Sequence, residues 1–518
     1  MWGSKGTSAC AAALWLALAP PALAQDDQPL SAIDWLSRSV SGPAPALPSP
    51  VIAPPVTTSA TPSTIVVRPI DGPTLDGLGL IPASRAGLPK DLWGTSPSAE
   101  IARLIRAERV DTLPAIQSLL YSLLLAELSP PMDADGTGAV FLARVDKLLD
   151  MGALDQALAL LEMIDDPAPE VFRRWFDIAL LTGNENRACA MMLKSPQIAP
   201  TFPARIFCLA RSGNWNAAAL SLRTGEALGF IEPDMAELLA RFLDPDLFEG
   251  EPDAPMPERP SPLVLRLMEA IGQPIPTTRL PVAFAHADLR PNVGWKPRLE
   301  AAERLARTGA IEPARLFAIY AERSPAASGG VWERVRAVQD LSRALDKGDR
   351  DGVARALPTA WQKMEEVELE VPFANEFGAR LLDLDLSGAP GRLAFRIALL
   401  SPESGRAAKA LPDTATQTDR FLVALANGRP QGAAPPNQIG AAVQAAFVSG
   451  SPLSDRFIRL IAEGRLGESI LLAIDNITDG ARGDLREVTQ GLTLLRHVGL
   501  EQVARRAGIE LILLERRG

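Results

Sequence analysis

Glycines that recur about every thirty residues, each between two helical patterns, constrain this chain more than any other feature. The strings LLDMGALDQALALL, LLTGNENRACAMML and LARSGNWNAAALSL all end one helical pattern, turn at a glycine and begin another rich in Ala and Leu. Their turn glycines, Gly152, Gly183 and Gly213, stand 31 and 30 residues apart. The grammar returns at Gly309, Gly348, Gly464 and Gly499. Glycine ends a helix there because the left-handed conformation penalises any Cβ. A small residue four or five positions later, such as Ala157 or Ala217, lets the second helix lie close on the first. Units of 30 to 35 residues cannot bury their own faces, so they must stack on one another. The composition agrees: 47% of the chain is hydrophobic but only 5% is aromatic, which favours close helix-on-helix packing.

This pattern resembles the tetratricopeptide-like superfamily, whose helical pairs carry Gly at the turn and Ala just after. The resemblance covers Ser98 to Leu247 well and Ser261 to Gly518 patchily; the Trp and Pro landmarks of a consensus repeat do not recur in register. The Pro/Thr/Ala bias is also similar to that of bacterial envelope proteins grouped as antifreeze glycopeptide polyprotein. That grouping follows composition, and no ice binding is inferred from it. The expected fold is all-α, a TPR-like α-solenoid of stacked helical hairpins preceded by a disordered Pro-rich N-terminal region. What the resemblance implies is scaffolding and partner binding on a long concave surface.

Residues 1–24 read as a secretory signal. Lys5 supplies the positive start, the apolar region runs from Ala9 to Ala19, and Ala22-Leu23-Ala24 places small residues before a cleavage between Ala24 and Gln25. Cys10 lies at the very start of the apolar region, not after it, and is not placed as a lipoprotein cysteine. No later stretch approaches the roughly 20 apolar residues of a membrane helix, so the expectation is a soluble, exported, periplasmic protein. Residues 25–41 form a short amphipathic segment, 42–66 a Pro/Ser/Thr-rich linker, and 67–97 an extended approach. Helical repeats then fill 98–246, 263–429 and 430–518, with a Pro-rich linker at 247–262.

The segment SAIDWLSRSV, Ser31 to Val40, has Ser31 as N-cap and Asp34 three positions on, close to a capping box. Two turns are too few to be stable alone in water, so it must borrow a surface. One candidate is a partner's groove, with Ile33, Asp34, Trp35 and Leu36 as the recognition motif; the others are its own solenoid, or no surface at all, the segment being a disordered end. The run from Gly42 to Ser63, if polyproline-like, spans roughly 70 Å at about 3.1 Å per residue.

A net charge of −10 opposes nucleic-acid and anionic-membrane binding, both of which need clustered positive charge. Past the signal the only cysteines are Cys189 and Cys208. They lie about equally far from the turn SPQIAP, so antiparallel helices would bring them level. In an exported chain such a pair points to a disulfide. His286, in PVAFAHADLR, reads as a hydrogen-bonded core residue, and His497 as a helix-end residue suited to the dipole. MDADGTGAVFLAR begins like a calcium loop at Asp133 and Asp135, but position twelve is Arg144 where a bidentate Glu is needed. The acidic run holding Glu365, Glu366, Glu368 and Glu370 reads as a solvated face rather than paired catalytic carboxylates. The chain has no G-x-S-x-G, phosphate loop or H-E-x-x-H; Gly467-Glu468-Ser469 matches only part of a lytic transglycosylase motif. The expected function is a non-enzymatic scaffold or adaptor, without cofactor or metal, that binds another envelope protein. A peptidoglycan- or glycan-acting enzyme or its accessory subunit, and a structural subunit of an envelope machine such as a flagellar motor, are the alternatives.

Overall fold

Helical hairpins stack along the chain as the glycine pattern requires. The computed structural model describes residues 74–514, which hold 25 α-helices and one two-stranded parallel bridge, Ile81–Pro82 beside Ala126–Glu127. The fold is an all-α helical repeat. All seven turn glycines have φ between 63° and 86°, the left-handed region that ends a helix cheaply only at glycine. The close-contact position falls five residues on. Ala157, Ala188, Ala218, Val353 and Ala504 are fully buried there, as is Ser469. Ala217, one of the two alanines expected to make this contact, is exposed, and its neighbour Ala218 does so instead. Gly309 is the exception: its second helix starts late, at Pro313, so Leu316 takes the buried place.

One contiguous hydrophobic core runs from Ala83 to Leu514. The Pro-rich breaks therefore interrupt the repeat but not the core. At 247–262 the chain is held by Arg241, whose guanidinium donates to the Pro252 carbonyl at 3.0 Å, and by Gln273, whose side chain meets Asp253 and Ala254. Near 430, Gln444 donates to the carbonyls of Pro430 and Ala433, both at 2.8 Å.

The expected extended approach at 67–97 differs in its described part, which is packed. It contains the helix Ala83–Ala86, and Leu92 and Trp93 are fully buried. Its apolar residues lack helical period because Gly and Pro punctuate them, yet they fill a gap left by the last repeats. Gly467 donates its N–H to the Leu92 carbonyl at 2.9 Å, and Thr95 donates to Gly464 at 3.3 Å. A Cβ on Gly467 would stand 2.5 Å from the Trp93 ring, and one on Gly94 would stand 2.0 Å from the Gly464 oxygen. Further along the same contact the hydroxyls of Thr112 and Thr478 are 2.7 Å apart. The Ala115 N–H reaches the Glu510 carboxylate at 2.8 Å, and Arg482 pairs with Asp111 at 3.0 Å. The first and last hairpins are thus packed together.

Gly467→Ala is expected to destabilise the protein by about 1–3 kcal/mol through overpacking against Trp93 and to speed amide exchange at residues 88–97. Gly483→Ala, where a Cβ meets nothing within 4 Å, should change stability by less than about 0.5 kcal/mol. Urea unfolding with hydrogen exchange measures both.

Candidate functional site

Large apolar side chains left in water concentrate in one part of the molecule. Among the described residues, Trp215, Leu220, Leu228, Phe230, Leu247 and Met256 are half of all exposed large hydrophobics. Four of the six belong to one helix and the turn after it, Trp215–Ala227 and Gly229. The helix buries only Ala218, Leu222 and Gly225, a narrow stripe against the preceding helix Phe202–Arg211 and the following helix Pro233–Leu243. Leu220 is 70% and Trp215 49% exposed. The stretch GNWNAAALSLRTGEALGF holds more apolar residues than one buried stripe can take. That surplus was the signal in the sequence, and spacing alone did not raise it. Aromatic contacts fix the base of this face: Trp215 lies 6.1 Å from Phe242, Phe242 lies 5.7 Å from Phe207, and Phe202 lies 5.8 Å from Phe230.

The cysteine pair braces the same hairpins. Cys189 in Glu185–Lys194 and Cys208 in Phe202–Arg211 are buried, with sulfurs 1.99 Å apart and Cα atoms 4.9 Å apart. The antiparallel count from SPQIAP thus brings them to disulfide distance. Ala24, Gln25, Ile33, Asp34, Trp35 and Leu36 lie outside the described residues.

The remaining polar candidates have structural partners. His286 is buried, with Nε2 2.7 Å from the carbonyl of the turn residue Gly152, and burial pushes its pKa down. His497 is exposed in the last turn of Leu485–His497. In the calcium-like loop, Asp133 accepts from Ser98 N–H at 2.9 Å at the start of Ser98–Ala107, and Asp135 accepts from Thr137. Arg144 is fully buried and donates to three main-chain carbonyls. The acidic run disperses. Glu365 accepts from the Trp361 indole and Glu366 from Lys363, Glu368 lies 3.7 Å from Arg307, and Glu370 is buried at the head of Glu370–Asp383. In Gly467-Glu468-Ser469, Glu468 pairs with Arg465 and the glycine admits Trp93.

Carboxyls with raised pKa values do occur away from any motif. Burial pushes Glu108 well up, with Asp475 adding repulsion, and pushes Asp177 up to about 7 against the pull of Arg173 and Arg174. Neither position carries a motif, because burial is set by the tertiary fold. No group of three or more His, Cys, Asp or Glu side chains among the described residues could hold a metal. No described helix is long and apolar enough to cross a membrane. Comparison with protein-family models, curated proteins and solved structures finds no match.

Two measurements follow. Between about pH 4 and 7 the folded protein holds a proton on Asp177 that the unfolded chain has lost. Stability from this group therefore falls as pH rises through that window and levels off above it. Asp177→Asn should remove that component, so the variant's gain over wild type in urea midpoint grows from pH 5 to pH 8. Replacing Cys189 and Cys208 by alanine should cost about 2–4 kcal/mol, since the link closes a loop of roughly 20 residues. Wild type treated with a reductant should show the same loss.

Proposed function

We propose that this chain is an exported, periplasmic helical-repeat scaffold, related to tetratricopeptide-like proteins, that binds another protein of the cell envelope. The observation that carries the reading is the set of exposed apolar side chains on and just after the helix Trp215–Ala227, namely Trp215, Leu220, Leu228 and Phe230. A soluble chain leaves such a concentration of apolar side chains in water where a partner covers it, and Trp is among the residues that anchor such contacts. The face rests on braced elements, the Cys189–Cys208 hairpin on one side and the Phe207–Phe242 stack below. A rigid base limits the entropy lost on binding. A disulfide between these cysteines accords with an oxidising compartment. In this reading the residues Ile33, Asp34, Trp35 and Leu36 act as a second, tethered contact on the same partner.

The test is mild crosslinking in the periplasm of cells expressing the full chain, the doubly substituted Leu220→Asp/Leu228→Asp chain, and a chain lacking residues 25–40. Loss of the wild-type adduct in the double variant, with unchanged melting, supports the reading. An undiminished adduct there removes the face as the contact, and an undiminished adduct in the deletion removes the tethered motif.

A further inference from the structure

A cavity of about 440 Å³ opens where the repeat is broken. Between the helices Pro262–Ala270 and Trp295–Arg307 the chain makes three short pieces, Thr277–Arg279, Val282–Phe284 and Ala285–Asp288. Pro274, Pro276 and Pro281 forbid a continuous helix there. A hairpin partner that cannot form leaves its space unfilled. Leu265, Ile275, Val293 and Ala301 make the apolar wall, and the volume suits a small organic ligand.

The polar groups of the cavity are unequally engaged. Arg304 donates to the carbonyls of Thr277 and Leu280 at 2.8 and 2.6 Å, so its charge holds the wall. Arg290 donates to the Ala287 carbonyl at 2.7 Å and to Glu269 at 2.9 Å. Glu269 also receives Arg266. Asp288, in contrast, accepts from the Thr277 hydroxyl alone, and no Lys or Arg among the described residues lies within 4.0 Å of its carboxylate. Glu300, on the same lining, has only the exposed Lys296 at 3.6 Å. Both arginines of the cavity hydrogen-bond protein acceptors and act on Asp288 only at longer range, and the lining sets three carboxylates, Glu269, Asp288 and Glu300, against these two guanidiniums.

We propose that this cavity binds a small organic amine with an apolar body, the ammonium resting on Asp288 and the body on Leu265, Ile275, Val293 and Ala301. This site is separate from the exposed Trp215 face and does not depend on it. Burial raises the Asp288 pKa against the pull of Arg290 and Arg304, with Glu269 adding to the rise. An entering ammonium favours the ionised carboxylate, so binding expels any proton that Asp288 holds and weakens as pH falls.

The test is calorimetric titration of the full chain with 4-phenylbutylamine, 4-phenylbutanol and 4-phenylbutyrate, which share a body and differ in the head group. The amine should bind one-to-one with a Kd below about 1 mM and at least about tenfold tighter than the alcohol, and the carboxylate should bind weakest. Asp288→Asn should bring the amine to the level of the alcohol while leaving the alcohol unchanged. Val293→Trp, which fills the cavity and leaves Asp288 in place, should abolish binding of all three; thermal melting checks that each variant folds. No amine binding at millimolar concentration, equal binding of the three probes, or wild-type amine affinity in either folded variant overturns the proposal.

Discussion

The buried guanidinium of Arg144 is the contact on which the rest of this structure depends. It donates to Leu124 at 2.8 Å, Leu78 at 2.7 Å and Ala126 at 2.9 Å. Two of these carbonyls belong to the end of the helix Pro114–Leu125, where intrahelical partners run out. Burial draws the arginine down only to about 10, so it stays charged at neutral pH. The neighbouring Asp76 accepts the Phe141 N–H at 2.8 Å and supplies a compensating carboxyl. The helix so capped touches the next helix and two distant parts of the chain. It packs on Ala139–Asp150 and on Glu501–Leu513, and its Tyr121 hydroxyl donates to the Thr308 carbonyl at 3.1 Å. Without a substitute for these hydrogen bonds, the two carbonyls of the helix end and that of Leu78 would lose their donor, at a cost of about 1–3 kcal/mol for each one left buried and unsatisfied.

Elsewhere, buried ion pairs sit at the joints between hairpins. Glu303 takes the Tyr320 hydroxyl at 2.6 Å and two donors of Arg334 at 2.8 and 2.6 Å. Asp146 receives Arg174, and Lys147 reaches both Asp150 and the Glu108 carbonyl. Such pairs offset little more than their own desolvation, while removing one partner is expensive.

What could be read in the sequence is what local chemistry dictates. The seven turn glycines needed only a backbone argument, and Cys189 and Cys208 needed only a count of residues about a turn. His286 could be assigned to the core because an apolar helix surrounded it. The contact alanine at the third hairpin was placed one residue early, at Ala217, because i+4 and i+5 differ only by a 100° rotation that packing decides. The role of residues 74–97 was not legible. Trp93 finds its place only against Gly467, more than 350 residues away, and no local period announces such a meeting. The raised carboxyls of Glu108 and Asp177 were equally invisible, since what shifts them is burial by other elements.

The packing of first against last hairpins also bears on where a partner could sit. An open helical stack ends in two apolar faces and normally shields them with polar capping repeats. Here each end covers the other: Leu92 and Trp93 meet Gly467, and Pro114–Leu125 meets Glu501–Leu513. Polar caps become unnecessary, and the end faces are no longer available for association. Among the described residues, half of the exposed large hydrophobics lie instead between Trp215 and Met256, on and after the helix Trp215–Ala227, whose two hairpin neighbours cover only a narrow stripe of it. The same local economy explains the cavity at Asp288, where prolines prevent the helix that would have filled it. Both vacancies come from places where the repeat grammar fails to supply a covering element, and that failure, more than any catalytic motif, marks where this chain has surface to offer.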